Sequence, residues 1–494
     1  MIPTQSHYWL KNAHIPQPLL EPTVQPTDSA AGPSPIQTTP LQSVKGDGLV
    51  LMDVEIEQGM IRQVIPAGSA ISSHPAPSSE IPNPEIPNPE IPNPEIPMVD
   101  LQHKQVWPCF VDMHTHLDKG HTWEREPNPD RTFLGAIGAC DRDMTRWTPD
   151  DLYLRMEFGL KCSYAHGTVA VRTHLDAPRS QATVSFGVFK ALQAEWRDRL
   201  TLQATCLVLL EDFLGSHGEQ LANLMADTPG GILGAVAFPN DDLDTQLDRI
   251  FALAKERQLD LDFHVDESGD PHADSLAHIA RAALRHQFTG TITCGHCCSL
   301  AVQPPSQVQT TLDLVKAANL GIVSLPLCNL YLQDRQQAAS GSFLQTGLAV
   351  QEKLITGNTP RWRGVTLLHE LKAAGIRVAI ANDNCRDPFH GFGDHDMLEV
   401  FNLSARIAHL DHPYSQWVET VTATPAELMG LSTKGKIGPG RPADLVIFKA
   451  RTFSELLSRS QHDRVVVRNG EAIATDLPAY EELDPLMHRQ TSTL

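Results

Sequence analysis

Between about Val106 and His412 short β-branched runs alternate with amphipathic stretches, and this alternation leaves little choice of architecture. Strands separated by helices pair in parallel, because each helix carries the chain back to the edge where it started. Eight strands are expected: Val106–His116, Val169–Asp176, Thr201–Leu210, Gly234–Pro239, Leu259–Glu267, Gly290–His296, Gly321–Leu327 and Arg377–Asp383. Helical spacing lies between them, as in Gln246–Gln258, where Leu247, Ile250, Phe251 and Ala254 share a face, and in Thr366–Gly375, which a glycine closes. Eight repeats in about 300 residues predict an α/β fold, a (β/α)8 TIM-type barrel, with its chemistry at the C-terminal ends of the strands.

The two ends of the chain follow another pattern. Residues 48–65 alternate apolar and polar side chains on both sides of Glu57-Gln-Gly59, which predicts a β-hairpin. Ala443–Phe448 and Arg464–Gly470 also have strand character, the second closed by an Asn-Gly turn. One small β-domain assembled from both ends is therefore expected. Glu80–Pro97 reads EIPNPEIPNPEIPNPEIP, too poor in backbone donors for helix or sheet, and is expected to be an extended, disordered insert. The expected domains are 1–79 and 413–494 for the β-domain, the latter with a terminal helix, 80–97 for the insert and 98–412 for the barrel.

With 39 Lys and Arg against 59 Asp and Glu, the formal charge of −20 argues against nucleic acid and anionic membrane as partners. A small molecule is the expected partner, and a homo-oligomer is compatible with the sequence. No apolar run approaches the ~20 residues of a membrane span. Met1–Leu20 has neither secretory nor transit character, so a cytoplasmic location is expected. The nine cysteines show no disulfide-framework spacing and are expected to be reduced.

The strand-end rule sorts the 22 histidines. The first strand ends Met113-His-Thr-His116, and residues two apart on a strand face the same side, so His114 and His116 can share an ion. His264 and Glu267 end the fifth strand, His296 the sixth and Asp383 the eighth. Three imidazoles and a carboxylate suit one divalent ion, Zn2+ or Fe2+, with a position left for water. Glu267, beside the ion, is placed to move the water proton, and His296 to hydrogen-bond the reacting centre. His174 ends the second strand and is a candidate pocket residue. Asp118 could orient an imidazole, and Lys119 is either a pocket cation or a surface residue. By contrast His121, His166, His278, His286 and His369 are expected to be surface, packing or capping residues. Cys294-Gly-His-Cys297 has CxxC spacing without a redox setting and is expected to be two buried thiols.

Pro108-Cys-Phe-Val-Asp-Met-His-Thr-His-Leu-Asp118, with His264, His296 and Asp383 on later strands, resembles the amidohydrolase superfamily of metal-dependent hydrolases. Val171-Arg-Thr-His-Leu-Asp176, His264-Val-Asp-Glu267, Asn329-Leu-Tyr-Leu-Gln333 and Asp383-Asn-Cys-Arg-Asp-Pro388 are most similar to cytosine deaminases and their relatives. The resemblance implies a small β-sandwich built from both chain ends. It also implies His114, His116, His264 and Asp383 as ligands of one Fe2+ or Zn2+, Glu267 as proton shuttle and His296 as an aid to water activation. The implied reaction is attack of metal-activated water on a ring carbon bearing an amino group, with release of ammonia from a cytosine-like heterocycle or cyclic amidine.

Two positions depart from that pattern. Leu210 falls where cytosine deaminases carry a Gln that reads the pyrimidine edge, and Asn384 stands where a second Asp follows the metal Asp. Both are candidate substrate-pocket residues. The alternatives are an amidohydrolase cleaving another C–N bond, of the N-substituted ammelide or cyclic amide type, and a non-catalytic barrel used for binding. A two-metal site is disfavoured because Gly234–Pro239 offers no bridging Lys.

Overall fold

The computed structural model describes residues 2–21, 46–69, 96–335, 359–411 and 413–487. Glu80–Glu95 of the proline repeat lie outside the described residues. The chain divides into two compact units. One comprises Met1–Pro108, His412–Gln416 and Lys436–Ile473, and the other Cys109–Asp411, Trp417–Gly435 and Ala474–Leu494.

The first unit contains two four-stranded sheets. In one, His7–Pro16 lies between Leu49–Glu57 and Met98–Asp100, with Met60–Pro66 at the edge. In the other, Leu445–Ile447 lies between Val106–Pro108 and Val465–Arg468, with Glu471–Ala472 outermost. Tyr8, Leu10 and Val54 of the first sheet and Val106, Leu445 and Val467 of the second share one apolar core. The expected hairpin forms with Glu57 opposite Met60. Its two turn residues, Gln58 and Gly59, have φ of 51° and 79°, the positive pair that matches strand twist. Gly59 is also required by close approach, since a Cβ there would lie 2.7 Å from the Asn469 carbonyl oxygen.

In the second unit eight parallel strands pair in chain order: β1 (Phe110–Thr115), β2 (Thr168–Asp176), β3 (Thr201–Leu207), β4 (Gly231–Ala237), β5 (Leu261–Val265), β6 (Ile292–His296), β7 (Gly321–Ser324) and β8 (Arg377–Ile380). A parallel bridge from Thr115 to Asp383 joins the last segment to the first, so the sheet is a (β/α)8 barrel. Leu243–Arg257 and Ser275–Arg285 are two of its outer helices. In Leu243–Arg257, Leu247, Ile250, Phe251 and Ala254 are buried as their spacing predicts.

Several boundaries differ from the sequence expectation. The run Val106–His116 is two strands, because Pro108 has no N–H to continue a ladder, and Val106–Pro108 pairs with Leu445–Ile447 instead. The barrel unit therefore begins at Cys109 rather than at residue 98. Ala474–Leu494 also falls in the barrel unit instead of the β-domain. There Leu483 and Leu486 pack on Phe158 and Cys162. The expected strand Gly321–Leu327 ends at Ser324, since Pro326 opens the helix Pro326–Leu332 at its first position. Among the described residues no helix is long and apolar enough to cross a membrane, and all nine cysteines are buried thiols outside any disulfide.

Candidate active site

Barrel closure brings the chemistry together. The Asp383 N–H donates to the His114 carbonyl at 2.8 Å, and the Thr115 hydroxyl donates to the Asp383 carbonyl at 2.9 Å. The two residues flanking Thr115 therefore face Asp383 across the seam, while His264 enters from β5. Gly295 on β6 leaves room for the His114 ring, because a Cβ there would sit 2.9 Å from Cε1.

Four donor atoms converge. His264 Nε2 is 3.2 Å from His114 Nε2 and 3.3 Å from His116 Nε2. Asp383 Oδ1 is 3.6 Å from His114 Nε2 and 3.2 Å from His116 Nε2. Each of these separations is short enough for the two atoms to share one ion with bonds of ~2.0–2.1 Å. Burial holds all three imidazoles well below their usual pKa, so they are neutral and present lone pairs. His116 Nδ1 lies 3.1 Å from the His174 carbonyl, which can only accept, so Nδ1 carries the proton and Nε2 is free to ligate. Among the described residues no N–H or O–H donates to either buried Asp383 carboxylate oxygen, the Cys328 thiol is their one weak donor, and burial pushes the carboxyl up to about 7. A cluster of neutral imidazoles around so poorly satisfied a carboxylate fits one transition-metal ion.

Glu267 and His296 adjoin this cluster, 3.4 Å apart. Asp266 has φ of 47° and caps the helix Ser275–Arg285 by accepting from the Ser275 and Leu276 N–H groups, and this turn leaves the next side chain, Glu267, facing inward. Asn329 Nδ2 donates one hydrogen to Glu267 Oε1 at 2.9 Å and the other to His296 Nδ1 at 3.0 Å. The second bond fixes the His296 proton on Nε2, aimed into the cavity, while burial lowers that ring to about 3 and keeps it neutral. Gln333 donates to the Glu267 carbonyl at 3.2 Å. Burial, then the Asp383 charge, pushes the Glu267 carboxyl well above its ordinary range. Asn329→Ala should lower kcat about 10- to 100-fold, the worth of a hydrogen bond to a charged group, with a smaller change in KM. It should also move the acid limb of the pH profile upward, because the bond it removes favours the ionised form.

The cluster lies at one end of a cavity of about 460 Å3. Phe133, Ile137, Leu209, Phe238 and Phe389 contribute apolar wall, and Lys119, paired with Asp176 at 2.9 Å, contributes a cation and an acceptor. Asn384 lines the cavity, its amide donating to Asp387 at 2.7 Å. Asp118 accepts from the Asp176 N–H at 2.7 Å and so braces β2 rather than an imidazole. His174 and Leu210 are not among the cavity residues. His174 stacks behind His114 with ring centroids 3.8 Å apart and faces Asp262 at 3.2 Å. Leu210 is buried in the turn after β3, and its neighbour Leu209 lines the cavity. Asn329 and Gln333 bound a run that carries the family resemblance but to which no role is assigned from sequence; the helix opened by Pro326 carries both back over the sixth-strand end.

The amidohydrolase family model matches residues 221–474. The chain is 44% identical to a pterin deaminase of Rhizobium rhizogenes over 89% of this chain and 92% of that protein. It is 22% identical to N-isopropylammelide isopropyl amidohydrolase of Pseudomonas sp., covering 76% of this chain and 88% of the relative. Among solved structures, 5-methylcytosine deaminase of Klebsiella pneumoniae superposes with a TM-score of 0.70 at 21% identity, covering 94% of this chain and 97% of that one. Family match, near full-length relative and barrel agree, and the chain belongs to the amidohydrolase family.

Proposed function

We infer that the protein is a metal-dependent hydrolytic deaminase of a fused-ring, pterin-type heterocycle, replacing an exocyclic amino group by oxygen and releasing ammonia. The observation that carries this reading is the 44% identity to a pterin deaminase over almost its whole length. The cavity supports it. Its volume of about 460 Å3 suits a bicyclic ring, and its aromatic and aliphatic walls suit a flat one. The position expected to read a pyrimidine edge bears Leu210, with Leu209 beside it, so the amide expected for cytosine is missing there.

His114, His116, His264 and Asp383 would hold one Fe2+ or Zn2+, which would supply a water acidified toward neutral pH and a charge to stabilise developing negative charge. Glu267 takes a proton from the attacking water and delivers it to the departing nitrogen, so that a C–O bond forms, the C–N bond breaks and ammonia leaves. Asn329 holds the Glu267 oxygen in place, and His296 donates its Nε2 hydrogen to the polar edge of the reacting ring. The apolar walls keep bulk water from competing.

An ammonia-release assay over pterin, cytosine, 5-methylcytosine, isoguanine and ammelide tests the reading. Pterin should be turned over with kcat/KM at least about 100-fold above cytosine, two decades being the worth of roughly 2.7 kcal/mol of differential binding. A preference for cytosine would return the substrate to the single-ring class. Release of an alkylamine, or a new carboxylate in the product, would point to a different C–N bond.

A further inference from the structure

Two histidines outside the catalytic set share a buried pocket of the barrel unit with a thiol. His121 lies in the loop after β1, Cys385 two residues beyond Asp383, and His395 just before the helix Met397–Ile407. His121 and His395 are each 1% exposed and Cys385 2%. A ring nitrogen from each histidine and the Cys385 sulfur lie within 4.8 Å of one another. His121 sits at no strand end, so the strand-end rule does not single it out.

None of the four ring nitrogens has a hydrogen-bond partner among the described residues. A neutral imidazole brings one donor and one lone pair, and buried polar groups are ordinarily satisfied, so two convergent rings with no partner point to a missing ligand. Both residues also have left-handed backbone, with φ of 61° and 55°. Such conformations persist only where the surroundings enforce them. Here the His121 N–H donates to the Cys385 carbonyl at 3.1 Å. The helix Pro149–Ala165 makes room for the His395 ring with Gly159, where a Cβ would lie 2.9 Å from Nε2. Arg155 and Arg386 act on His121, and Asp394 acts on His395 and Cys385, so an entering cation meets charges of both signs.

We propose that His121, His395 and Cys385 form a second metal site, distinct from the catalytic one, that takes a borderline divalent ion of the Zn2+ type through two imidazoles and one thiolate. Ion binding displaces the thiol proton to solvent, and the thiolate offsets one of the two positive charges. The ion would brace the loop after β1 against the segment after β8, the two segments that carry His116 and Asp383.

Metal analysis and absorption of the full-length chain produced with Co2+ test the proposal. The catalytic set offers only nitrogen and oxygen, so a thiolate-to-cobalt charge-transfer band reports the second site. Two ions per chain and that band are expected in the wild type. Cys385→Ser should remove the band and leave one ion, while Cys328→Ser, altering the thiol near Asp383, should keep both features. Should Cys385→Ser fail to fold, His395→Asn should show the same fall to one ion. One ion per chain with no thiolate band in the wild type, or a band unchanged by Cys385→Ser, overturns the proposal.

Discussion

Glu267→Gln should lower kcat by about 10²- to 10⁴-fold, the range for losing a positioned proton-transfer group, while the protein still folds and binds its catalytic metal. Gln is the same size as Glu, and its side-chain oxygen can still accept from Asn329 Nδ2, which lies 2.9 Å from Oε1. What disappears is a group that can take a proton and give it back. KM should change much less than kcat, because the contribution is made in the transition state. The pH profile adds a second readout. Burial and the Asp383 charge raise the Glu267 carboxyl, and the reaction needs its ionised form first. Activity therefore falls as pH drops through that raised value, and the acid limb stands above the free glutamate range of about 4.3. In Glu267→Gln the residual activity should lack this limb. Steady-state kinetics across pH with metal analysis of each variant check all three points, and a variant with full activity removes Glu267 from the mechanism.

Much of the barrel was legible because its strands are buried on both faces and so carry long β-branched runs, as in Val169-Ala-Val-Arg of β2. The metal cluster was legible for a related reason. His114, His116, His264 and Asp383 stand at or just past strand ends, where barrel geometry gathers them, and the structure sets His264 and Asp383 each 3.2–3.6 Å from both first-strand imidazoles. What stayed hidden depends on features that a linear pattern does not encode. The run Asn329–Gln333 is marked by the family resemblance, but its contact with Glu267 depends on the chain turning into a helix at Pro326. Leu210 and Leu209 exchange roles because a short 3-10 turn follows β3, and a shift of one residue there decides which side chain faces the cavity. The split of Val106–His116 turns on Pro108, where two apolar extended runs meet with no polar interruption.

Asp383→Asn should abolish activity in the metal-loaded protein yet stabilise the metal-free one at pH 8. In the metal-free chain the Asp383 carboxylate is buried with only the Cys328 thiol as a weak donor, and burial raises it from an ordinary 3.8 to about 7. The sign of the linkage follows. Below pH 3.8 the residue is protonated in folded and unfolded chains alike and costs nothing. As pH rises from there to 7 the unfolded chain releases its proton first, so the folded state holds more protons and loses stability; above 7 the penalty is complete. Asn cannot ionise, so the variant should escape a penalty on the order of 4 kcal/mol at pH 8 and show a shallower fall in stability between pH 4 and 7. Loading with Zn2+ or Fe2+ should reverse the order. The wild type gains RT ln(1 + [L]/Kd), about 7 kcal/mol at a 10⁵-fold excess over Kd, whereas the variant has lost its anionic ligand and gains far less. Denaturant unfolding of both proteins, with and without chelator at several pH values, reads the crossing. Equal metal-free stabilities at pH 8 would mean that the Asp383 carboxylate finds a partner in solution. A variant that keeps its metal and its stabilisation would take Asp383 out of the ligand set.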